Sequence, residues 1–120
     1  MWTDHFIKYL DGTESLILDG LSRRVEEAPV LDSALKFYKR PTPFVVSIEV
    51  SREWARQRLL ERRRGDDNEA EIERRLAWYD SSVLQTLEFF KKTPGYEFIR
   101  INGEQSVEKV HEDILSLTHV

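Results

Sequence analysis

Phe44-Val45-Val46-Ser47-Ile48-Glu49-Val50 runs directly into Ser51 and then into Arg52-Glu53-Trp54-Ala55-Arg56-Gln57-Arg58-Leu59-Leu60-Glu61-Arg62. The first run is rich in β-branched residues and nearly continuous in apolar character, which reads as a strand buried on both faces. Ser51 is a natural N-cap for the helix that follows. A buried strand passing straight into a charged helix is the unit of a parallel α/β sheet. Two further runs extend it. Ser15 to Asp19 (SLILD) is a short apolar segment and reads as an earlier strand; Tyr96 to Ile101 (YEFIRI) reads as a later one.

The segments between these strands carry helical spacing. Trp2, Phe6 and Leu10 predict a short helix over 2–10. Val25, Ala28, Leu31, Leu35 and Tyr38 recur at three and four, with Pro29 in or near the first turn. Asn68 and Glu71 form an N-x-x-E variant of the capping box, opening a helix striped by Ile72, Leu76, Tyr79, Val83, Leu87 and Phe90. Pro94-Gly95 stops it. Ser106 caps a last helix with Val107, Val110, Ile114 and Leu117 on one face. The order is α-β-α-β-α-α-β-α, which predicts an α/β, three-layer α-β-α fold with a short parallel sheet and right-handed crossovers.

Composition bounds the rest. With 120 residues the chain reads as a single domain, 1–120. Apolar residues are 40% and charged residues 33%, as in ordinary globular proteins. There is no cysteine, which excludes disulfides, thiolate metal sites and cysteine nucleophiles. A net charge of -4 argues against nucleic acid as a partner. The mean hydropathy of -0.52 and the absence of a long apolar run argue against a membrane partner. The expected setting is cytoplasmic.

The twelve arginines and six lysines are segregated. Eight arginines lie between 52 and 75, and no lysine occurs between Lys39 and Lys91. Arg58 and Arg62 share a helix face, and Arg75 flanks the apolar stripe. Guanidinium forks match phosphate oxygens two at a time, so this stretch suits a polyphosphate. The same stretch holds Glu53, Glu61, Asp66, Asp67, Glu69, Glu71 and Glu73. Mixed charge of that kind is more often a solvated, salt-bridged face, and composition leaves both readings open.

Asp19-Gly20-Leu21-Ser22-Arg23 follows the first expected strand, at the carboxyl edge where parallel sheets bind ligands. It reads as a polar turn needing glycine, or as a site with one carboxylate and one guanidinium. His5, His111 and His119 show no metal-ligand spacing and read as surface or capping residues. No serine sits in a G-x-S-x-G turn. Trp54, Trp78 and Phe89-Phe90 lie at core spacing.

Four of these segments, in order, resemble the carboxyl-terminal half of adenylate kinases, from about Ser15 to Leu117. Ile17-Leu18-Asp19-Gly20-Leu21-Ser22-Arg23 is similar to the family's D-G-F-P-R segment. Arg58-Leu59-Leu60-Glu61-Arg62 is similar to its R-L-x-x-R run. Arg64-Gly65-Asp66-Asp67-Asn68-Glu69 and Ile72-Glu73-Arg74-Arg75-Leu76 are similar to its R-x-D-D-N-E…I-x-x-R-L segment. Ile101-Asn102-Gly103-Glu104-Gln105-Ser106-Val107 is similar to its closing N-G-E-x-S/P-V turn.

The resemblance implies a P-loop NTPase-type, nucleoside monophosphate kinase-like core without its first two strands, and a minimal lid at about 62–66. It implies a nucleotide-binding transferase acting on ATP and AMP, or another nucleoside monophosphate, with magnesium as cofactor of the ATP. By resemblance, Arg58, Arg62, Arg64 and Arg75 are catalytic, and Arg23 and Glu27 bind the acceptor. Gly103 and Gln105 pass the ATP adenine, and Asp19 lies near the metal. Three positions depart from the family pattern. Ser22 stands for proline, Arg24 for threonine, and Glu27 for the glutamine that reads adenine.

The five glycines, Gly12, Gly20, Gly65, Gly95 and Gly103, form no G-x-x-x-x-G-K-S/T P-loop. The family's P-loop strand lies between the strands that correspond to SLILD and FVVSIEV. The implied sheet therefore has a gap one strand wide. Either SLILD pairs directly with FVVSIEV, or the gap is filled by a homo-oligomer, a domain swap or a separate P-loop-bearing half. The expected function is phosphoryl transfer dependent on such a half. The alternative is a catalytically inactive nucleotide- or anion-binding or interaction module.

Overall fold

β1 (Phe44–Glu49) and β2 (Glu97–Asn102) run parallel, paired from Phe44↔Glu97 through Glu49↔Asn102, in the computed structural model, which describes residues 2–62 and 68–119. The backbone N–H of Glu97 donates to the carbonyl of Pro43, and that of Gly103 to the carbonyl of Glu49 (3.0 and 2.8 Å). Across the carboxyl end of the pair, Arg100 forks onto Glu49 with two bonds of 2.8 Å.

The helices follow the sequence pattern closely. α1 spans Trp2–Tyr9. A single 3-10 turn at Val25–Glu27 leads into α2 (Ala28–Phe37), with Pro29 in its first turn, where a missing N–H costs nothing. α3 covers Arg52–Arg62; the Ser51 hydroxyl accepts the Trp54 N–H. α4 (Glu69–Trp78) is capped by the Asn68 carbonyl oxygen, which accepts the Glu71 N–H at 2.9 Å. Only this half of the expected capping box forms, because the Glu71 carboxylate takes Arg74 instead (2.7 Å). A π-turn, Tyr79–Val83, joins α4 to α5 (Leu84–Lys92). It reconciles the successive spacings of four at Tyr79, Val83 and Leu87 with one continuous face. α6 (Val107–Thr118) begins at the Ser106 cap and packs on β2.

The architecture is the three-layer α/β arrangement, with a sheet one strand smaller than the sequence predicts. Ser15–Leu18 takes no regular secondary structure and pairs with no strand among the described residues, and Ile17 is 96% exposed. An apolar run becomes a strand only when a neighbour completes its ladder, and the neighbouring position is open. SLILD does not close onto β1.

The main core is built from Phe6, Ala28, Leu31, Leu35 and Phe90, with Leu16, Leu18, Leu21, Val45 and Tyr96 packed against it. Burying Leu31, Leu35 or Phe90 is worth about 1.5–3 kcal/mol each. Ile72 and Ile101 are buried outside that cluster. The radius of gyration is 16.1 Å, against about 14 Å for a compact domain of this length. Large apolar side chains remain at the surface, Phe37, Ile48, Trp78 and Val107 among them. Trp78 therefore does not take the core position that its spacing predicts. The last stripe is likewise only half covered, since Val107 and Leu117 stay exposed.

Candidate functional site

A groove of about 1150 Å³ opens beside β1. One wall is the Ser15–Arg23 stretch, represented by Leu16, Leu18, Gly20 and Arg23. The other is β1, through Phe44, Val45 and Val46, and the floor includes Leu31 and Leu35 of α2. Arg75 and Trp78 of α4, Tyr79 and Val83 of the π-turn, and Thr86 and Phe90 of α5 complete it. The groove occupies the position that the unpaired Ser15–Leu18 segment leaves open.

Arg23 is held by its own turn. Its Nε donates to the Gly20 carbonyl at 2.9 Å. Gly20 sits at φ +67°, and a Cβ there would lie 3.3 Å from the Arg23 guanidinium, so glycine suits both the turn and the close approach. Ser22, in the same turn, takes φ 55° without being glycine. It is only 3% exposed, and its Oγ has no hydrogen-bond partner. An orphaned buried hydroxyl costs about 1–3 kcal/mol.

Arg75 reaches the same groove from α4, fifty-two positions away in sequence. Of the residues singled out as catalytic or phosphate-binding, Arg23 and Arg75 line the same groove. Arg58 is elsewhere: it lies 4.9 Å from the Trp54 ring centroid and 3.4 Å from the Glu61 carboxylate. Arg62 is exposed in the last turn of α3. Arg64 and the minimal lid beyond Arg62 fall outside the described residues.

The solvated-face reading describes other arginines of this stretch well. Arg52 pairs with Asp80 at 2.6 Å, Arg56 pairs with Glu73, and Arg74 pairs with Glu71. The first two tie α3 to the π-turn and to α4, the third lies within α4, and all are at the surface, where each is worth little.

The remaining candidates are dispersed. Glu27 closes the 3-10 turn and is half-buried. Gly103 is buried against β1; a Cβ there would meet Val50 Cγ1 at 2.7 Å and Ile48 Cγ2 at 2.8 Å. Gln105 donates to Asp113 of α6 at 2.7 Å. The Glu104 carboxylate accepts the Ser51 N–H at 2.9 Å and the Ser51 hydroxyl, which holds it below the usual carboxylate range. This bond closes the β2–α6 turn onto the start of α3.

Asp19 is exposed at the groove's turn. Among the described residues no three metal-ligating side chains converge. Magnesium in nucleotide sites takes one or two carboxylates and completes its shell with phosphates and water, so a single exposed aspartate fits that role. The histidines behave as the sequence predicts. His5 packs on Tyr9 (4.6 Å between centroids), His111 is exposed, and His119 caps α6 in the left-handed region.

Sequence reasoning missed the roles of Trp78, Tyr79 and Thr86 in lining the groove. For Tyr79 the signal is its spacing of four from Val83 on the apolar stripe; Trp78 and Thr86 lie off that stripe. Burial, followed by the nearby charges of Glu49 and Asp80, raises the Tyr79 hydroxyl above its ordinary value, so it remains a neutral donor.

The chain is 37% identical over 109 residues to the adenylate kinase of Leptospira biflexa, 88% of this chain and 58% of that protein. By sequence, this chain is adenylate-kinase-like. The adenylate kinase of Prochlorococcus marinus is 35% identical over 108 residues, and that of Corynebacterium urealyticum 30% over 105. They are covered to 57% and 56% of their lengths. The adenylate-kinase-like chain thus spans a little over half the length of these curated relatives. The match is to the carboxyl-terminal part of an adenylate kinase. No family model matches the chain, and no solved structure matches it significantly. No helix among the described residues is long and apolar enough to cross a membrane.

Proposed function

We propose that this chain supplies the arginine side of an adenylate-kinase reaction, reversible phosphoryl transfer between ATP and a nucleoside monophosphate, AMP foremost. The γ-phosphorus leaves the β-phosphate oxygen of ATP and bonds to a phosphate oxygen of the acceptor, giving two diphosphates. Such transfer is accelerated chiefly by positioning and by neutralising charge on the equatorial oxygens. The observation that carries this reading is the meeting of Arg23 and Arg75 on one groove from separate elements. Arg23 holds the acceptor phosphate, with Glu27 behind it. Arg75 faces the transferring group, and Arg58, Arg62 and Arg64 approach from α3 and the lid. The Gly103–Gln105 turn passes the adenine. Asp19 holds the waters of magnesium, which with ATP supplies further neutralisation of phosphate charge.

The sequence has no P-loop, so the reading includes a P-loop-bearing half, joined to this chain or separate from it. The setting is cytoplasmic. A second reading, an inactive nucleotide- or anion-binding module, is supported by that absence and by the surface pairing of Arg52, Arg56 and Arg74 with carboxylates.

The test is ADP formation from ATP and AMP with magnesium, by the chain alone and together with the portion of the Leptospira relative that the chain does not match. Turnover only in the mixture, lost in Arg75→Ala, supports the kinase reading. ATP or AMP binding without turnover in either case supports the second.

A further inference from the structure

The turn that leads into α2 ends on a carboxylate without a partner. Glu27 has helical dihedrals, φ -81° and ψ -21°, and lies four positions before Leu31 and eight before Leu35. Those two leucines line the groove beside β1, so Glu27 extends their face by one turn, toward Arg23. Glu27 is half-buried, and among the described residues its carboxylate meets neither a hydrogen-bond donor nor a cation.

Two arginines stand close by in sequence, and neither pairs with it. Arg24 is extended and exposed, and Arg23 folds back to donate from Nε to the Gly20 carbonyl at 2.9 Å. A carboxylate further along the same helix is matched: Asp32 takes Lys36 at 2.6 Å and the Tyr96 hydroxyl at 2.9 Å. The buried Ser22 hydroxyl is a second unsatisfied group in the turn before α2. A carboxylate in the first turn of a helix complements its dipole. Glu26 meets that need from an exposed position in the same 3-10 turn, so the dipole does not account for the partial burial of Glu27.

We infer that Glu27 reads the base of the acceptor nucleotide, and that this base is guanine, which presents two adjacent N–H donors. An ionised carboxylate only accepts hydrogen bonds. Guanine offers N1–H and the N2 amine side by side, and the two match the carboxylate oxygens as a parallel pair of bonds. Adenine sets its N6 amine beside the bare N1 lone pair, so one carboxylate oxygen then faces another acceptor. A buried polar group left facing the wrong partner is the strongest source of discrimination between similar ligands. Glutamine donates as well as accepts, so it suits adenine at this position where glutamate does not.

The guanine assignment rests on the kinase reading above and puts GMP in place of AMP as the preferred acceptor. The γ-phosphorus of ATP then bonds to a phosphate oxygen of GMP as its bond to the β-phosphate oxygen breaks, giving ADP and GDP. Arg23 keeps its role on the acceptor phosphate, four positions from the group that reads the base.

The experiment is calorimetric titration of the full chain with GMP, IMP and AMP, alone and mixed with the unmatched portion of the Leptospira relative. IMP keeps the N1–H and lacks the N2 amine. The expected order is GMP, then IMP, then AMP, with GMP bound at least about tenfold more tightly than AMP. Glu27→Gln is expected to weaken GMP and strengthen AMP, while Glu26→Gln, which removes the same charge from the same turn, leaves their ratio unchanged. AMP bound as tightly as GMP overturns the proposal, as does a ratio that Glu27→Gln does not move or that Glu26→Gln moves equally. Absence of binding by all three, with and without the added portion, overturns it too. ADP formation in the mixture with AMP as the better acceptor sinks the guanine assignment and leaves the kinase reading standing. Preferential GMP binding without phosphoryl transfer upholds Glu27 as the base reader and sinks the kinase reading instead.

Discussion

Arg40 and Glu14 join the chain just before β1 to the chain just before the unpaired Ser15–Leu18 segment, 3.0 Å apart and both shielded from full exposure. Glu14 is itself fixed by the N–H groups of Asp11 and Gly12, at 2.9 and 3.2 Å. These bonds hold the Glu14 carboxyl below its ordinary range, the Asp11 N–H first among them. One ion pair thus links the Ser15–Leu18 segment to the start of β1, with which it shares no ladder. Arg40→Met is expected to lower the urea midpoint and to loosen the Ser15–Leu18 segment, read as faster amide exchange at Leu16 and Leu18. Unchanged exchange there would show that core packing alone holds the segment.

Gly103 is required for space, not for an unusual backbone angle. A methyl group would press on Val50, Ile48 and the Glu49 carbonyl, the last at 3.1 Å. Gly103→Ala is expected to cost about 1–3 kcal/mol, typical of an overpacked site. In a domain of this size that lowers the thermal midpoint by about 4 °C or more. A midpoint within a degree of the wild type would mean β1 yields at no cost.

Tyr96 and Asp32 link the entry to β2 with α2 through a 2.9 Å hydrogen bond. Burial works to raise the Asp32 carboxyl, but hydrogen bonds from Lys36 and Tyr96 outweigh it and hold the group below its ordinary value. The folded value is therefore below the unfolded one, about 3.9. The stabilisation is complete above that pH and is lost as pH falls through the lower, folded value. Tyr96→Phe is expected to cost about 1 kcal/mol at pH 7 and to soften the loss of stability below about pH 4. Urea titrations at pH 3, 4, 5 and 7 test both; parallel curves would remove Asp32 from the account.

Arg75 and Arg23 should separate in kinetics once the complementing portion is present. Arg75→Ala is expected to lower kcat on the order of 10³-fold, as for an arginine facing a transferring phosphoryl group. Arg23→Ala is expected to act mainly on the KM of the monophosphate. Arg74→Ala, whose guanidinium pairs with Glu71 at the surface, should leave both constants within about twofold. Equal losses for all three would point to a general charge effect.

The helices and their starts were legible in the residues. Ser51, Asn68 and Ser106 cap where their types and neighbours say they should, because a cap is settled within four residues. The strands at Phe44–Glu49 and Glu97–Asn102 were also legible, since β-branched runs between helices leave few other conformations. The third apolar run, Ser15 to Asp19, looked equally like a strand and is not one. Its pattern is local, whereas a ladder needs a second chain segment at hydrogen-bonding distance, and that position beside β1 is open. The arginines divide on the same principle. Their number and their fork chemistry belong to the sequence. Whether a given one meets a carboxylate or a groove depends on which element packs opposite. Arg56 and Arg74 find glutamates on α4, and Arg58 finds Trp54 and Glu61. Arg23 and Arg75 line one groove because the Gly20 turn and α4 flank the same space, a relationship across fifty-two residues that only tertiary packing decides.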